Sequence, residues 1–432
     1  MSNLVLKGDI VFTPDKDSFK SYKDHYLVAE EGRVVGIFSS LPVEYQSYPI
    51  KDYSGKLIIP GFVDIHLHAP QYPNRGLGLD KELIPWLNTY TFPEEAKYHD
   101  LDYAERVYTS LINDLWRYGT TSCVIFSSIH KESTKLLMDL FIDSNLRAYV
   151  GKVNMDRNTP PELCEDTEKS LLDTEEIILE YKDKSPLVKP IITPRFVPTC
   201  SKELMEGLGK LAIKHNVAVQ SHLSENRDEV DWVKKLHPDL EDYASIYNVY
   251  NLFGQTKTIM AHCIYNTPEE LDLMEKNRVF AAHCPHSNYN LSSGIMPVRK
   301  FLDRNIPVGL GSDVSGGHDL SIPRTMVAAI QASKMKWLNT NKGLKPLTSS
   351  EAFYLGTKGG GSFFGKVGSF EEGYSLDALV VDDAKLGVKD DLSLEERVQR
   401  FIYIGDDRNI VERYVEGKRV DMPYRQNIPT MV

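Results

Sequence analysis

The chain of 432 residues has only five cysteines: Cys123, Cys164, Cys200, Cys263 and Cys284. They are odd in number, scattered, and never in a C-x-x-C arrangement, which argues for reduced thiols over a disulfide framework or a structural zinc knuckle. Basic charge is also short. Fifty Lys and Arg against 61 Asp and Glu leave a net charge of −11, with no basic stripe. That weighs against a nucleic acid or an anionic membrane as partner. No stretch approaches the roughly 18 apolar residues of a membrane span, and the N-terminus lacks a charged region followed by an apolar one. There is no internal repeat and no low-complexity segment. These absences predict a cytoplasmic protein whose partner is a small neutral or cationic molecule.

What is present is an ordinary globular composition, 41% hydrophobic and 26% charged, arranged in two patterns. Both ends read as short strands with tight turns. At the start these are Asn3–Phe12, Tyr26–Ala29, Val34–Phe38 and Leu57–Ile59, with Asp52-Tyr53-Ser54-Gly55-Lys56 as a turn. At the far end they are Ala378–Asp382, Arg397–Ile404 and Val411–Val415. One small β-sandwich domain, residues 1–60 plus 366–432, is expected from both termini. Between them, residues 61–365 alternate. Apolar or β-branched runs occur at Ile58–His68, Thr120–Ser127, Arg147–Met155, Val188–Phe196, Ala218–Ser224, Thr258–Ile264, Val279–His283 and Val308–Ser312. Helical periodicity fills intervals such as Leu101–Gly119, Lys202–His215, Glu269–Asn277 and Pro323–Trp337. Strands alternating with helices in this way predict an α/β (β/α)8 TIM-type barrel.

In a strand, residues i and i+2 share a face, so His66 and His68 present two imidazoles to one side. Neutral imidazoles suit Zn²⁺, with Fe²⁺ as the alternative. A barrel carries its chemistry at the C-terminal ends of its strands. There the sequence also puts Arg195 and Phe196 (fourth strand), His222 and Glu225 (fifth), His262 (sixth) and Asp313 (eighth). His283 and His286 end a strand as well, without a defined role. His25, His99, His130, His215, His237 and His318 fit ordinary surface positions. Acidic runs such as Glu371-Glu372 and Asp390-Asp391 read as solvated faces.

Together, His66-x-His68, His222, His262 and the Gly-x-Gly-Ser-Asp313 run resemble the amidohydrolase superfamily over essentially the whole chain. One branch of it bridges two metals with a lysine at the end of strand four. Here that strand ends Ile192-Thr193-Pro194-Arg195-Phe196 and the nearest lysine, Lys189, is at its start. The one-metal deaminase branch is therefore favoured, and it implies His66, His68, His222 and Asp313 as ligands of one metal. More narrowly, His68-Ala69-Pro70-Gln71, Leu83-Ile84-Pro85-Trp86-Leu87 with Thr91-Phe92-Pro93-Glu94, Pro194-Arg195-Phe196 and His222-Leu223-Ser224-Glu225 resemble the guanine deaminase family. That resemblance implies conversion of guanine to xanthine and ammonia, in purine catabolism or salvage, by a homodimer.

The chemistry agrees with that implication. Displacing an amine from an aromatic carbon needs a strong nucleophile and protons for the ring and the leaving group. Zinc supplies the first by lowering the pKa of its bound water to about 7. Glu225 is the expected proton shuttle to N3 as C2 is attacked. Asp313 accepts the water proton, and His262 stabilises the developing charge. Arg195 offers a planar donor fork for the O6 and N7 edge, and Gln71 a donor and an acceptor in one side chain. Phe196 and Trp86 supply walls, and the long segment Tyr72–Tyr98 folds over the site as a lid. The alternatives are a related one-metal deaminase of cytosine, an adenosine-type compound or a triazine, and, more remotely, a non-catalytic scaffold.

Overall fold

The computed structural model describes residues 3–340, 342–387 and 391–425. Asp390 of the expected acidic run, and residues 1–2 and 426–432 of the expected β domain, lie outside the described residues.

The two chain ends meet in one seven-stranded sheet. Its spatial order is Lys418–Arg419, Ile410–Val415, Ala378–Val381, Ile50–Pro60, Leu4–Phe12, Lys20–Glu30 and Arg33–Phe38. Leu4–Phe12 alternates loosely in sequence because it is central and almost wholly buried. Its Leu4, Leu6, Ile10 and Phe12 share one apolar cluster with Leu27, Ile58, Ala378, Val380 and Tyr414 from neighbouring strands.

Two expectations at the ends fail. Asp52–Lys56 is no reversal of the chain: it lies within the strand Ile50–Pro60, where a register shift against Lys7–Asp9 absorbs the extra residues. Gly55, at φ 81°, supplies the left-handed residue this irregularity needs. Arg397–Ile404 is helical, in Leu394–Ile404. Ser393 and Glu396 form a reciprocal capping box at its start, and Val398, Phe401 and Ile402 are buried on one helical face. Its β-branched and aromatic residues favoured a strand locally, but their spacing is i, i+3, i+4.

The middle of the chain holds two four-stranded parallel arcs. The first contains Phe62–His68, Thr120–Phe126, Arg147–Gly151 and Val188–Pro190; the second Val219–Leu223, Thr258–His262, Phe280–His283 and Val308–Leu310. Backbone hydrogen bonds join them at both seams. Ile192 N–H donates to the Ala218 carbonyl (2.9 Å) and Gln220 N–H to the Ile192 carbonyl (2.9 Å). At the other seam Asp313 N–H donates to His66 (2.9 Å) and His68 N–H to Val314 (3.0 Å). Val63, Ile65, Val124, Ile259, Ala261 and Ala282 fill the space the arcs enclose. Residues of opposite parity, such as Phe62, Val219, Met260 and Ala281, pack in the outer cluster that includes the helices.

The expected run Ile58–His68 is broken at Gly61: Ile58–Pro60 belongs to the seven-stranded sheet and Phe62–His68 to the first arc. A Cβ at Gly61 would lie 2.2 Å from Thr121 Oγ1, so only glycine lets the chain cross between the layers there. The third and fourth strands are also interrupted, the third at Lys152 and the fourth between Pro190 and Thr193. Among the described residues, no helix is long and apolar enough to cross a membrane.

Candidate metal centre and substrate cavity

The first strand does not alternate simply. Its pairing with Thr120–Phe126 shifts register between Asp64 and Leu67. Ile65 stays with the enclosed cluster and Leu67 packs outward. The Asp64 carboxylate stabilises this irregularity. Its Oδ1 accepts from the backbone N–H of His66 (3.2 Å) and of Ser312 (3.0 Å), tying the first strand to the eighth beneath the two histidines. Burial pushes the Asp64 carboxyl up to about 7.

Above it the expected ligands converge. His66 Nε2 is 3.2 Å and His68 Nε2 3.5 Å from Asp313 Oδ1. His68 Nε2 is 3.2 Å from His222 Nε2. His222 donates its Nδ1–H to the Arg195 carbonyl (2.6 Å), which leaves the Nε2 lone pair aimed at the cluster. Burial holds His66, His68 and His222 below the usual imidazole range. Burial alone would raise the Asp313 carboxyl, but His66, His262 and His68 outweigh it and keep it far below its ordinary value. For His262 the order reverses: burial lowers it, and Glu225 and Asp313 more than restore it.

A cation fits this donor set. With its Nδ1–H given to Arg195, His222 turns a bare Nε2 lone pair toward His68 Nε2, and among the described residues neither ring nitrogen of His66 has a hydrogen-bond partner. Three imidazoles and a carboxylate match the borderline preference of Zn²⁺ or Fe²⁺. Ring nitrogens of His66, His222 and His262 also lie within 4.8 Å of one another, as do donor atoms of His66, Cys284 and Asp313. The chain turns sharply to present these groups. Ser224, His262, Cys263 and Asp313 all take left-handed φ, between 48° and 72°, strain of about 1–3 kcal/mol each that the surrounding packing must offset.

His68, Gln71, Trp86, Arg195, Phe196, His222, Glu225, His262 and Asp313 line one cavity, open to solvent at its mouth. His66 lies just beneath. Glu225 Oε2 is 3.4 Å from His262 Nε2, and its Oε1 accepts from the Ser293 hydroxyl (3.1 Å). Burial pushes the Glu225 carboxyl up to about 7. Within Tyr72–Tyr98, residues 83–98 fold into consecutive helical turns, and Leu83, Trp86 and Leu87 close one side of the cavity. The Trp86 Nε1–H donates to the Leu77 carbonyl (3.1 Å).

Several polar groups of the site were not foreseen from the sequence. Glu95 accepts from both Gln71 and Arg195, Asn288 Oδ1 meets His262 Nδ1 at 3.0 Å, and Asp64 and Ser293 act as described. Glu95 directly follows the Thr91–Glu94 run singled out above, the nearest thing to a sequence signal among them. His283 is buried but does not line the cavity, and His286 faces His318. His237, expected at the surface, is 3% exposed and meets Arg157 Nη2 at 3.4 Å. Lys189 donates to the Lys182 carbonyl (2.7 Å), away from the cluster.

Comparison with known proteins agrees with this geometry. The chain is 43% identical over 377 residues to the guanine deaminase of Dictyostelium discoideum, covering 85% of this chain and 83% of that protein. It is 38% identical to the guanine deaminase of Mus musculus, covering 98% of both. Among solved structures, guanine deaminase from C. acetobutylicum with guanine bound in its active site superposes with a TM-score of 0.96 at 54% identity, over 97% of this chain and 100% of that one. Residues 57–420 match the amidohydrolase family model. The chain belongs to the amidohydrolase family, in its guanine deaminase branch.

Proposed function

We propose that this protein hydrolyses guanine to xanthine and ammonia. The observation that carries the reading is the full-length likeness to a guanine-bound guanine deaminase, met in this chain by a small cavity lined with His, Asp, Glu, Arg and Gln. In our reading His66, His68, His222 and Asp313 hold one divalent cation, zinc in preference to iron. Such a cation acidifies a bound water toward neutral pH.

The chain's own residues account for the proton traffic. Asp313 takes the proton that water loses as the C2–O bond forms. Glu225, poised near neutrality by burial, gives its proton to N3 in the same step. The new hydroxyl returns a proton to Glu225 as the C2 carbonyl forms. Asp313 passes its proton to the exocyclic nitrogen, and the C2–N bond breaks to release ammonia. His262 donates toward the oxygen adding at C2. Arg195 and Gln71 read the O6 edge, Phe196 and Trp86 wall the ring, and Tyr72–Tyr98 excludes water as a lid.

The same reading takes the two arcs with their seam bonds as a closed (β/α)8 barrel, residues 61–365, and the seven-stranded sheet around its shared core as the small β-sandwich. It places the enzyme in the cytoplasm as a homodimer, free of nucleic acid and membrane. Metal analysis together with ammonia release from guanine tests it. About one cation per chain and release from guanine in preference to cytosine, adenosine or triazine substrates is the expected result, and no ammonia from guanine refutes it.

A further inference from the structure

The Gln71 amide is held from both ends. Its Nε2 donates to Glu95 Oε1 (2.9 Å), and its Oε1 accepts from the Ser315 backbone N–H (3.3 Å). Glu95 Oε2 takes Arg195 Nη1 at 2.6 Å. Gln71 and Glu95 are each 2% exposed and Arg195 3%. A carboxylate facing a guanidinium only accepts, and a backbone N–H only donates. The two neighbours therefore dictate which end of the amide is nitrogen and which is oxygen. What Gln71 retains for the cavity is one N–H beside one carbonyl lone pair, while Arg195 adds donors alone.

We propose that Glu95 is the positioning residue through which the cavity selects a 6-oxo purine over a 6-amino purine, by fixing the donor–acceptor order of Gln71 and the direction of Arg195. This rests on the guanine deaminase reading above. A 6-oxo ring offers N1–H beside O6, which meets the retained acceptor and donor of Gln71 and the donors of Arg195. A 6-amino ring reverses the order, because N1 accepts and the amino group donates. To pair with it the Gln71 amide must turn over. That sets its oxygen against the Glu95 carboxylate and its NH₂ against the Ser315 N–H, among side chains that are themselves almost wholly buried. Buried polar groups left facing their like are the strongest source of discrimination between ligands of equal shape.

The test compares guanine with 2,6-diaminopurine, which carries the same 2-amino leaving group but an amino group at C6. Values of kcat and KM for ammonia release are measured on the metal-loaded enzyme and on Glu95→Gln, whose carboxamide both donates and accepts. The ratio of kcat/KM, guanine over 2,6-diaminopurine, should fall at least tenfold in the variant. An equal loss on both substrates, leaving the ratio unmoved, overturns the proposal, because a merely structural lesion does just that. Gln71→Met keeps the Glu95–Arg195 pair and should lose the share of the discrimination that the amide carries, and Glu95→Gln in that background should lower the ratio by a smaller factor than it does with Gln71 present. Should Glu95→Gln fail to fold, Glu95→Ser, which also removes the fixed acceptor, takes its place: a retained ratio overturns the proposal and a lowered one upholds it. Wild-type enzyme inactive on guanine instead refutes the functional reading, and this inference with it.

Discussion

In the proposed mechanism Glu225 moves a proton without holding the metal, and its carboxylate contacts are His262 and the Ser293 hydroxyl. Glu225→Gln keeps the shape and much of the hydrogen bonding but cannot carry a proton. It should lower kcat by about 10²–10⁴-fold with metal content unchanged, read from ammonia release and metal analysis on one preparation. Retained full activity would remove Glu225 from the mechanism. His66, His68, His222, His262 and Asp313 could be picked out in the sequence because each has a distinctive chemistry at the end of a recognisable apolar run. Glu95, Asp64, Asn288 and Ser293 could not. Acidic, amide and hydroxyl side chains are common everywhere, and what makes these four matter is a partner tens or hundreds of residues away.

At the scale of elements, the strand Phe62–His68 does the most. Its C-terminal end and apolar content were plain in the sequence, but its start after Gly61 and its register shift near Asp64 were not. Both depend on neighbours: the Thr121 side chain at Gly61, and the Ser312 N–H that shares Asp64 Oδ1 with His66. Gly61→Ala should therefore cost about 1–3 kcal/mol through overpacking against Thr121. A lower urea midpoint at constant m-value would show it, and an unshifted midpoint would mean that Thr121 yields freely. The helix Leu394–Ile404 teaches the complementary lesson. Its composition suited a strand, yet the capping box and the i, i+3, i+4 burial decided otherwise.

At the scale of the whole molecule, Arg147 links the two structural units. It reaches from the third strand of the first arc to Asp377 and Ser375, just before the strand Ala378–Val381 of the seven-stranded sheet, and lies 3.4 Å from Glu416. Arg147→Ala leaves the fully buried Asp377 carboxylate without its cation and should cost about 3–5 kcal/mol, seen as a lower thermal midpoint. Replacing Arg147 and Asp377 together should recover part of that loss. The proposed ligand cluster would couple the fold to a bound cation in the same way. A cation bound only by the folded state at 100 times its Kd adds about 2.7 kcal/mol. Exhaustive chelation should abolish ammonia release and lower the midpoint, and zinc should restore both. An active metal-free enzyme would refute the proposed chemistry.

The sequence alone was enough for the alternation of strands and helices, the pairing of the two chain ends, and the residues that gather in the cavity. Each of these follows from periodicity or from side-chain chemistry at strand ends, which are local properties. Only the tertiary structure decided where the first strand changes layer, which way Arg397–Ile404 folds, and which groups hold the site residues in place. It also decided the orientation of the Gln71 amide, because that depends on a carboxylate 24 residues away and a backbone N–H 244 residues away. Hydrogen-bond direction is a property of pairs, and folding is what makes the pairs.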